Sequence, residues 1–445
     1  MPKRMVLQQY FGYDDFRPGQ EPLIDGILAG RDVLGIMPTG GGKSMCYQIP
    51  ALLLPGLTLV ISPLISLMKD QVAALNGAGI PAALLNSSLD EASYRETCWQ
   101  LRQGMHKLLY VSPERLENEG FLRLMQEQEI SMIAVDEAHC VSQWGQDFRP
   151  SYLKIPDFVA RLPHRPVVSA FTATATAEVQ ADIVQRLELI DPVKIVTGFD
   201  RPNLYFEVRR PTQKLPLLTR LVEDRAGRSG IIYCATRANV EKVCDHLRQR
   251  GIPATRYHAG LSEAERRQNQ DDFQFDRAPV MVATNAFGMG IDKSNVSYVA
   301  HYNLPLSLEN YYQEAGRAGR DGTRAECLLL YSPGDVHTAE FLLSRTERTD
   351  LTPEQLQAMR EADEQRLRQM VFYATTTDCL RSVILRYFGE EAPAYCGNCG
   401  NCLADYEEVD ERTNALKVLS CVARVRQHAL ACGSPATSVG AGSIV

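Results

Sequence analysis

Three clusters in this 445-residue chain have residue types and spacing suited to phosphoryl chemistry. The stretch MPTGGGKS, Met37 to Ser44, carries Thr39 and then Gly40, Gly41 and Gly42 ahead of Lys43 and Ser44. Glycines let backbone N–H groups approach phosphate oxygens, Lys43 supplies charge at the β and γ positions, and Ser44 holds Mg²⁺. The strict phosphate-loop pattern fails at its first position, where Met37 stands in place of a glycine. A second cluster closes the apolar run MIAVDEAH, where Asp136 suits the metal shell and Glu137 suits the orienting and deprotonation of water. The third is YYQEAGRAGRDG, with Gln313, Arg317 and Arg320. Arginines at i and i+3 share one face of a helix start and can meet the charge developing on a γ-phosphate. Supplied from a distant part of the chain, they would make turnover depend on closure of a cleft.

Such a site needs strands that end at one edge of a sheet. From Asp32 onward, DVLGIM, LTLVIS, KLLYVS, SMIAVDEA and VVSAFTATA each end at a polar or Gly-rich turn, as buried parallel strands do. After a break around TGFDRPNLYFEV a second series follows: SGIIYCATR, ATRYHAG, PVMVATNA, YVAHYNL and AECLLLYS. The segment TRANVEKVCDHLRQRG reads as a helix with Gly251 at its C′ position. Two α/β blocks with a cleft between them are expected, joined by a linker near Asp191–Pro202. After Ser332 strand signals stop, and TPEQLQAMREADEQRLRQMVFYATT predicts one or two helices with an acidic beginning.

Composition bounds the rest. Hydrophobic residues at 45% and charged residues at 23% are ordinary for a folded protein, so long disordered spans are not expected. The formal charge of −7 means that any nucleic-acid binding must use a local basic track. The apolar window Ala51–Met68 is broken by Pro55, Gly56 and Pro63, and the first residues lack an uninterrupted apolar core. Neither a membrane span nor a secretory signal is expected, which points to the cytoplasm. Of twelve cysteines, eight are scattered singly. Cys379, Cys396, Cys399 and Cys402 have the x2 spacings that bring thiolates onto one tetrahedral ion. Structural Zn²⁺ fits best, because four thiolates leave no open position, although an iron–sulfur cluster also takes four cysteines.

This ordered set resembles the superfamily 2 helicases of the RecQ family. The likeness runs from YFGYDDFRPGQ through MPTGGGKS, ISPLISLMKDQV, YVSPERL, DEAHCVSQWGQDFRP, FTATAT, IIYC, VATNAFGMGIDK and YYQEAGRAGRDG to the C-terminal cysteines. It implies two tandem RecA-like domains with parallel sheets at 1–200 (ATP-binding) and 201–332. A helical zinc-binding domain at 333–405 and an incomplete winged-helix segment with a tail at 406–445 would follow. It also implies ATP-driven, 3′-to-5′ unwinding of DNA in recombination and repair, by a nucleoid-associated monomer acting on single-stranded and forked DNA.

Carried over by motif, Gln20 would pair with the adenine edge while Tyr13 and Arg17 pack around the base; a Gln amide has the donor–acceptor pair that edge requires. On resemblance alone, Thr172 and Thr174 in the first block, and Thr284 and Asp292 in the second, link nucleotide state to DNA. The aromatic-rich loop answers to SQWGQDFRP, where Trp144 and Phe148 offer stacking faces and Arg149 a cation for single-strand binding. Gln146 stands where many relatives have His; it keeps hydrogen bonding but cannot carry charge, which bears on the tightness of ATP–DNA coupling. The segment DERTNALKVLSCVARVRQ resembles the first winged-helix helix, and the Gly/Ser/Ala-rich stretch after it has too little apolar surface to complete that domain. Two alternatives follow: a zinc-containing DNA-binding ATPase or remodelling protein with weak or no unwinding, and an RNA-directed helicase.

Overall fold

The computed structural model describes residues 2–86, 89–145, 147–287, 293–345, 351–405 and 412–431. Its first sheet contains β1 (Val33–Ile36), β2 (Leu57–Ile61), β3 (Ala82–Leu85), β4 (Leu108–Val111), β5 (Ile130–Val135), β6 (Val167–Thr172) and β7 (Val193–Val196). Their order is β3-β4-β2-β5-β6-β1-β7, with parallel pairing. The second sheet contains β8 (Leu204–Arg209), β9 (Ser229–Tyr233), β10 (Ala254–Tyr257), β11 (Val280–Ala283), β12 (Val296–His301) and β13 (Ala325–Leu330). Its order is β10-β11-β9-β12-β13-β8, again with parallel pairing. Central strands such as β1, β2 and β9 are buried at every position, which is why they read as continuous apolar runs.

Placement of the chemistry follows from this order. β6 lies between β5 and β1, with Ile36 beside Thr172 and Val135 beside Ala170. The loops that leave β1, β5 and β6 therefore emerge side by side at one edge, the usual ligand position of a parallel sheet. Gln313 sits on the helix Leu308–Ala315, which follows β12 in the second block.

The expected helix Arg237–Gln249 is capped by the Thr236 side chain and ends at Gly251, whose φ is +75°. Gly251 N donates to Arg248 O at 2.9 Å and Ile252 N to Leu247 O at 3.0 Å, closing a Schellman motif. The acidic segment after Ser332 is one 23-residue helix, Pro353–Thr375, begun by a capping box between Thr352 and Gln355. The linker reading needs correction. β7 lies inside Asp191–Pro202 and pairs with β1, so the connection between sheets narrows to residues 197–203. Likewise β8 occupies part of the expected break and pairs with β13.

A second unit begins at Leu403 and contains the helix Arg412–Ala431, where the winged-helix start is expected. The tail after Ala431 lies outside the described residues, as do Gln146 and Asp292. Among the described residues, no helix is long and apolar enough to cross a membrane.

Candidate active site

A cleft of about 500 Å³ is lined by Tyr13, Arg17, Gln20, the phosphate loop, Asp136 and Glu137 from the first block and by Gln313, Arg317 and Arg320 from the second. The loop after β1 turns at Gly40 (φ +83°) and Gly42 (φ +77°). A Cβ at Gly42 would come within 2.4 Å of Gln20 Nε2, so this position needs both the left-handed backbone and the missing side chain. The amide of Gln20 is engaged on both sides: Arg17 N donates to Oε1 at 2.8 Å, and Nε2 donates to Gly42 O at 3.0 Å. Pairing with an adenine edge requires exchange of these bonds. Arg17 also donates to Gly40 O, and Tyr13 is half exposed beside the cleft.

At the end of β5 the backbone of Glu137 is left-handed, with φ +47°. A non-glycine residue held there stores strain, as functional sites often do. Glu137 N donates to Asp136 Oδ1 at 3.0 Å, and Tyr152 OH donates to Asp136 O at 2.9 Å, which fixes the turn. Burial and the neighbouring Glu137 charge raise the pKa of Asp136 above the usual carboxylate range. Burial opposes the charge on Glu137 too, but the Lys43 ammonium and His139 outweigh it and hold that pKa low. Lys43 Nζ lies 3.8 Å from Glu137 Oε1.

A chain of polar contacts crosses the cleft, an ion-pair approach at its Glu137 end and hydrogen bonds after it. His139 Nδ1 lies 3.3 Å from Glu137 Oε2 and 2.8 Å from Thr172 Oγ1. Thr172 Oγ1 donates to Thr174 O at 3.2 Å, and Gln313 Nε2 donates to Thr174 Oγ1 at 2.9 Å. Four residues, His139, Thr172, Thr174 and Gln313, thus connect Glu137 to the second block. His139 follows Glu137 by two residues in DEAH, a His of the kind a phosphate-processing site can use, and its link to Thr172 is visible only in the structure. Arg317 is buried in the cleft, and its Nε has no hydrogen-bond partner among the described residues. A buried cation facing a glycine cradle and a lysine fits a triphosphate. Ser44 and Asp136 also line the cleft and provide oxygens of the type Mg²⁺ takes.

The aromatic loop divides unexpectedly. Trp144 is 44% exposed and borders a second cleft, whereas Phe148 is 2% exposed and belongs to the interior. Phe148 therefore offers no open stacking face, which corrects the expectation drawn from SQWGQDFRP. Arg149 is not an open cation either: Nε and Nη2 bind Asp147 Oδ2 at 3.1 and 3.0 Å, and Nη1 donates to Pro63 O at 3.2 Å. These bonds pin the loop to the turn after β2. Arg366, on the helix Pro353–Thr375, donates to Trp144 O at 2.8 Å and so holds the loop from the other side. No sequence motif pointed to Arg366. Thr284 follows β11, with its N–H donating to Tyr257 O at 3.1 Å, and does not line the ATP-type cleft.

The four clustered cysteines converge. Their Sγ atoms lie within 4.8 Å of one another, with Cys396–Cys402 at 3.9 Å and Cys379–Cys399 at 4.0 Å. Tetrahedral Zn–S bonds of about 2.3 Å place sulfurs about 3.8 Å apart, so the set fits Zn²⁺. The site is built into the second block: Cys399 forms a parallel bridge with Phe206 of β8, and Cys379 caps the helix Leu380–Tyr387.

Two parallel sheets that contribute facing halves of one phosphate cleft define a two-domain RecA-like helicase core. The same class is found by comparison: a DEAD/DEAH box helicase model matches residues 17–183 and a helicase conserved C-terminal domain matches 213–322. Dbp5 of S. cerevisiae, solved with RNA and ADP BeF3, shares the fold at a TM-score of 0.61 and 18% identity, over 82% of this chain and 97% of that one. A RecQ zinc-binding model matches 333–403. The ATP-dependent DNA helicase RecQ of Bacillus subtilis (strain 168) is 46% identical over 424 residues, which is 95% of this chain and 70% of that protein. The RecQ helicase of Haemophilus influenzae is 46% identical over 95% of this chain and 67% of its own length. The chain belongs to the RecQ family, and its cofactors are ATP with Mg²⁺ at the cleft and Zn²⁺ at the cysteines.

Proposed function

We propose that this protein is an ATP-dependent DNA helicase of RecQ type that translocates 3′ to 5′ on one strand and separates duplex in recombination and repair. The observation that carries the reading is the chain Glu137–His139–Thr172–Thr174–Gln313, because a change at the hydrolytic carboxylate alters a contact made by the second domain. The names of its relatives support DNA rather than RNA as substrate and favour a helicase over a remodelling protein. Lys43, Arg317 and Arg320 bind and neutralise the phosphates, Gln313 ties the second domain to the site through Thr174, and Glu137 orients and deprotonates the water. Ser44 and Asp136 hold Mg²⁺, which supplies charge neutralisation at the phosphate oxygens. Tyr13, Arg17 and Gln20 receive the base. Domain limits at 1–200, 201–332, 333–405 and 406–445, a monomeric state and a cytoplasmic, nucleoid-associated location belong to the same proposal.

The test is ATP hydrolysis with and without single-stranded DNA, beside unwinding of forked duplexes carrying 3′ or 5′ tails. Stimulation by DNA together with unwinding of the 3′-tailed fork is expected. Absence of stimulation would remove the motor reading, and preference for a 5′ tail would reverse the polarity.

The divided loop gives a sharper expectation. Trp144→Ala should weaken single-stranded DNA binding by about 5- to 150-fold, the equivalent of one stacked base. Phe148→Ala should instead cost about 3–5 kcal/mol of stability, as core truncations do. Fluorescence anisotropy with a labelled oligonucleotide and thermal melting separate the two, and equal stability losses in both variants would contradict their assigned roles.

A further inference from the structure

Arg201 lies in the linker between the sheets, outside the residues that line the ATP cleft. Its guanidinium nevertheless touches both arms of the site. Nη1 donates to Thr39 O of the phosphate loop at 3.2 Å and to Gly316 O at 3.4 Å. Nη2 donates to Ala318 O at 3.2 Å and Gly319 O at 3.0 Å. These three carbonyls bracket Arg317 and lead into Arg320, just past the end of the helix Leu308–Ala315. Gly316 is the C-cap of that helix, and a helix C-terminus carries partial negative charge, so a cation is favoured there.

The linker that carries Arg201 is itself held. Arg381, buried on the helix capped by Cys379, donates through Nη1 to Asp200 Oδ1 at 2.5 Å and to Arg201 O at 2.7 Å. On the preceding residues, Phe199 stacks on Phe388 with centroids 4.3 Å apart, and its N–H donates to Glu390 Oε1 at 2.6 Å. A fixed backbone and a planar fork with donors on two sides make Arg201 a spacer between two loops.

We propose that Arg201 is a positioning residue for ATP hydrolysis, setting the distance between the phosphate loop and the loop of Arg317 and Arg320. It does not line the cleft and acts through the backbone of the two loops that do. A merely structural role would be met by the helix-end contacts alone; the bond to Thr39 O, on the opposite arm, is what they do not explain. Misplacement of a catalytic group by about 1 Å can cost about 100-fold in rate, whereas nucleotide binding draws on many other contacts.

The inference rests on the chain being an ATPase, and the test separates the two. Arg201→Ala and Arg201→Lys are compared with the parent for kcat and KM of DNA-stimulated ATP hydrolysis, for equilibrium binding of a fluorescent ADP, and for thermal melting. Arg201→Ala should lower kcat about 10- to 100-fold while ADP affinity stays within about threefold. Arg201→Lys keeps the charge at the helix end and should recover most of the melting temperature. Its kcat should stay about fivefold or more below the parent, because one ammonium cannot span the two loops. Should Arg201→Ala fail to fold, Arg201→Lys alone decides. Rates within twofold of the parent in the variants that fold, recovery of kcat together with stability in the Lys variant, or a loss of ADP affinity matching the loss of kcat would each overturn the proposal. A parent that hydrolyses no ATP would instead remove the functional reading on which it stands.

Discussion

Lys43→Ala should reduce DNA-stimulated ATP hydrolysis by about 100- to 1,000-fold, the scale seen when one preorganised donor to a developing negative charge is removed. The fold should survive, since the charge partner of Lys43 among the described contacts is Glu137 at 3.8 Å, which His139 also faces. Two effects combine in the loss. A phosphate bound at the loop would lose the cation that Lys43 supplies, and Glu137 loses the ammonium that holds its pKa down. Removing a cation raises a carboxyl pKa, so any residual activity of the variant should decline at a higher pH, as pH falls, than that of the parent. In the parent, engagement of Lys43 by phosphate has the same direction of effect and would make Glu137 a better base once ATP is seated. Phosphate release measured over a pH series, beside thermal melting, checks both points; a variant with parental rates would show that the glycine loop binds phosphate without this lysine.

Much of this arrangement was legible in the sequence, for a physical reason that also accounts for what was missed. Central parallel strands are covered on both faces, so LTLVIS and SGIIYC read as unbroken apolar runs followed by turns. Edge strands lack that signature. β7, VKIV, alternates half-buried and exposed positions and so reads as linker, while β8, LYFEVR, sits at the edge of the other sheet and reads as part of a break. β3, AALL, is an edge strand without a β-branched residue.

Lys43, Asp136 and Gln313 line one cleft, and each follows a strand end or lies in a motif in which residue type carries the chemistry. The fates of Trp144 and Phe148 could not be read this way: both are aromatic, and only the path of the loop turns one outward and the other in. Arg201 and Arg366 leave even less trace. Each donates to backbone carbonyls 115 or more residues away in sequence, except that Arg366 also pairs with Asp363. A carbonyl is common to every residue type, so nothing at the acceptor end marks the partner.

Cys399→Ala should abolish stoichiometric zinc and cost at least about 3 kcal/mol of stability, because loss of a structural metal also removes the folding energy its ligands share. For domains of this size that corresponds to a fall in melting temperature of roughly 5 °C or more. Cys399 is fully buried and bridges to Phe206 of β8, so the damage would reach the second sheet. It would also reach the linker, since Asn398, its neighbour in sequence, donates to Pro202 O at 3.0 Å and Leu204 O at 3.3 Å. Cys421, an exposed single thiol, supplies the control: Cys421→Ala should retain both zinc and melting temperature. Metal analysis and calorimetry on the two variants read these outcomes directly. Iron with visible absorbance in the parent would replace zinc by an iron–sulfur cluster, whereas parental stability in a zinc-free Cys399→Ala would mean that the fold of this region stands on its apolar contacts alone.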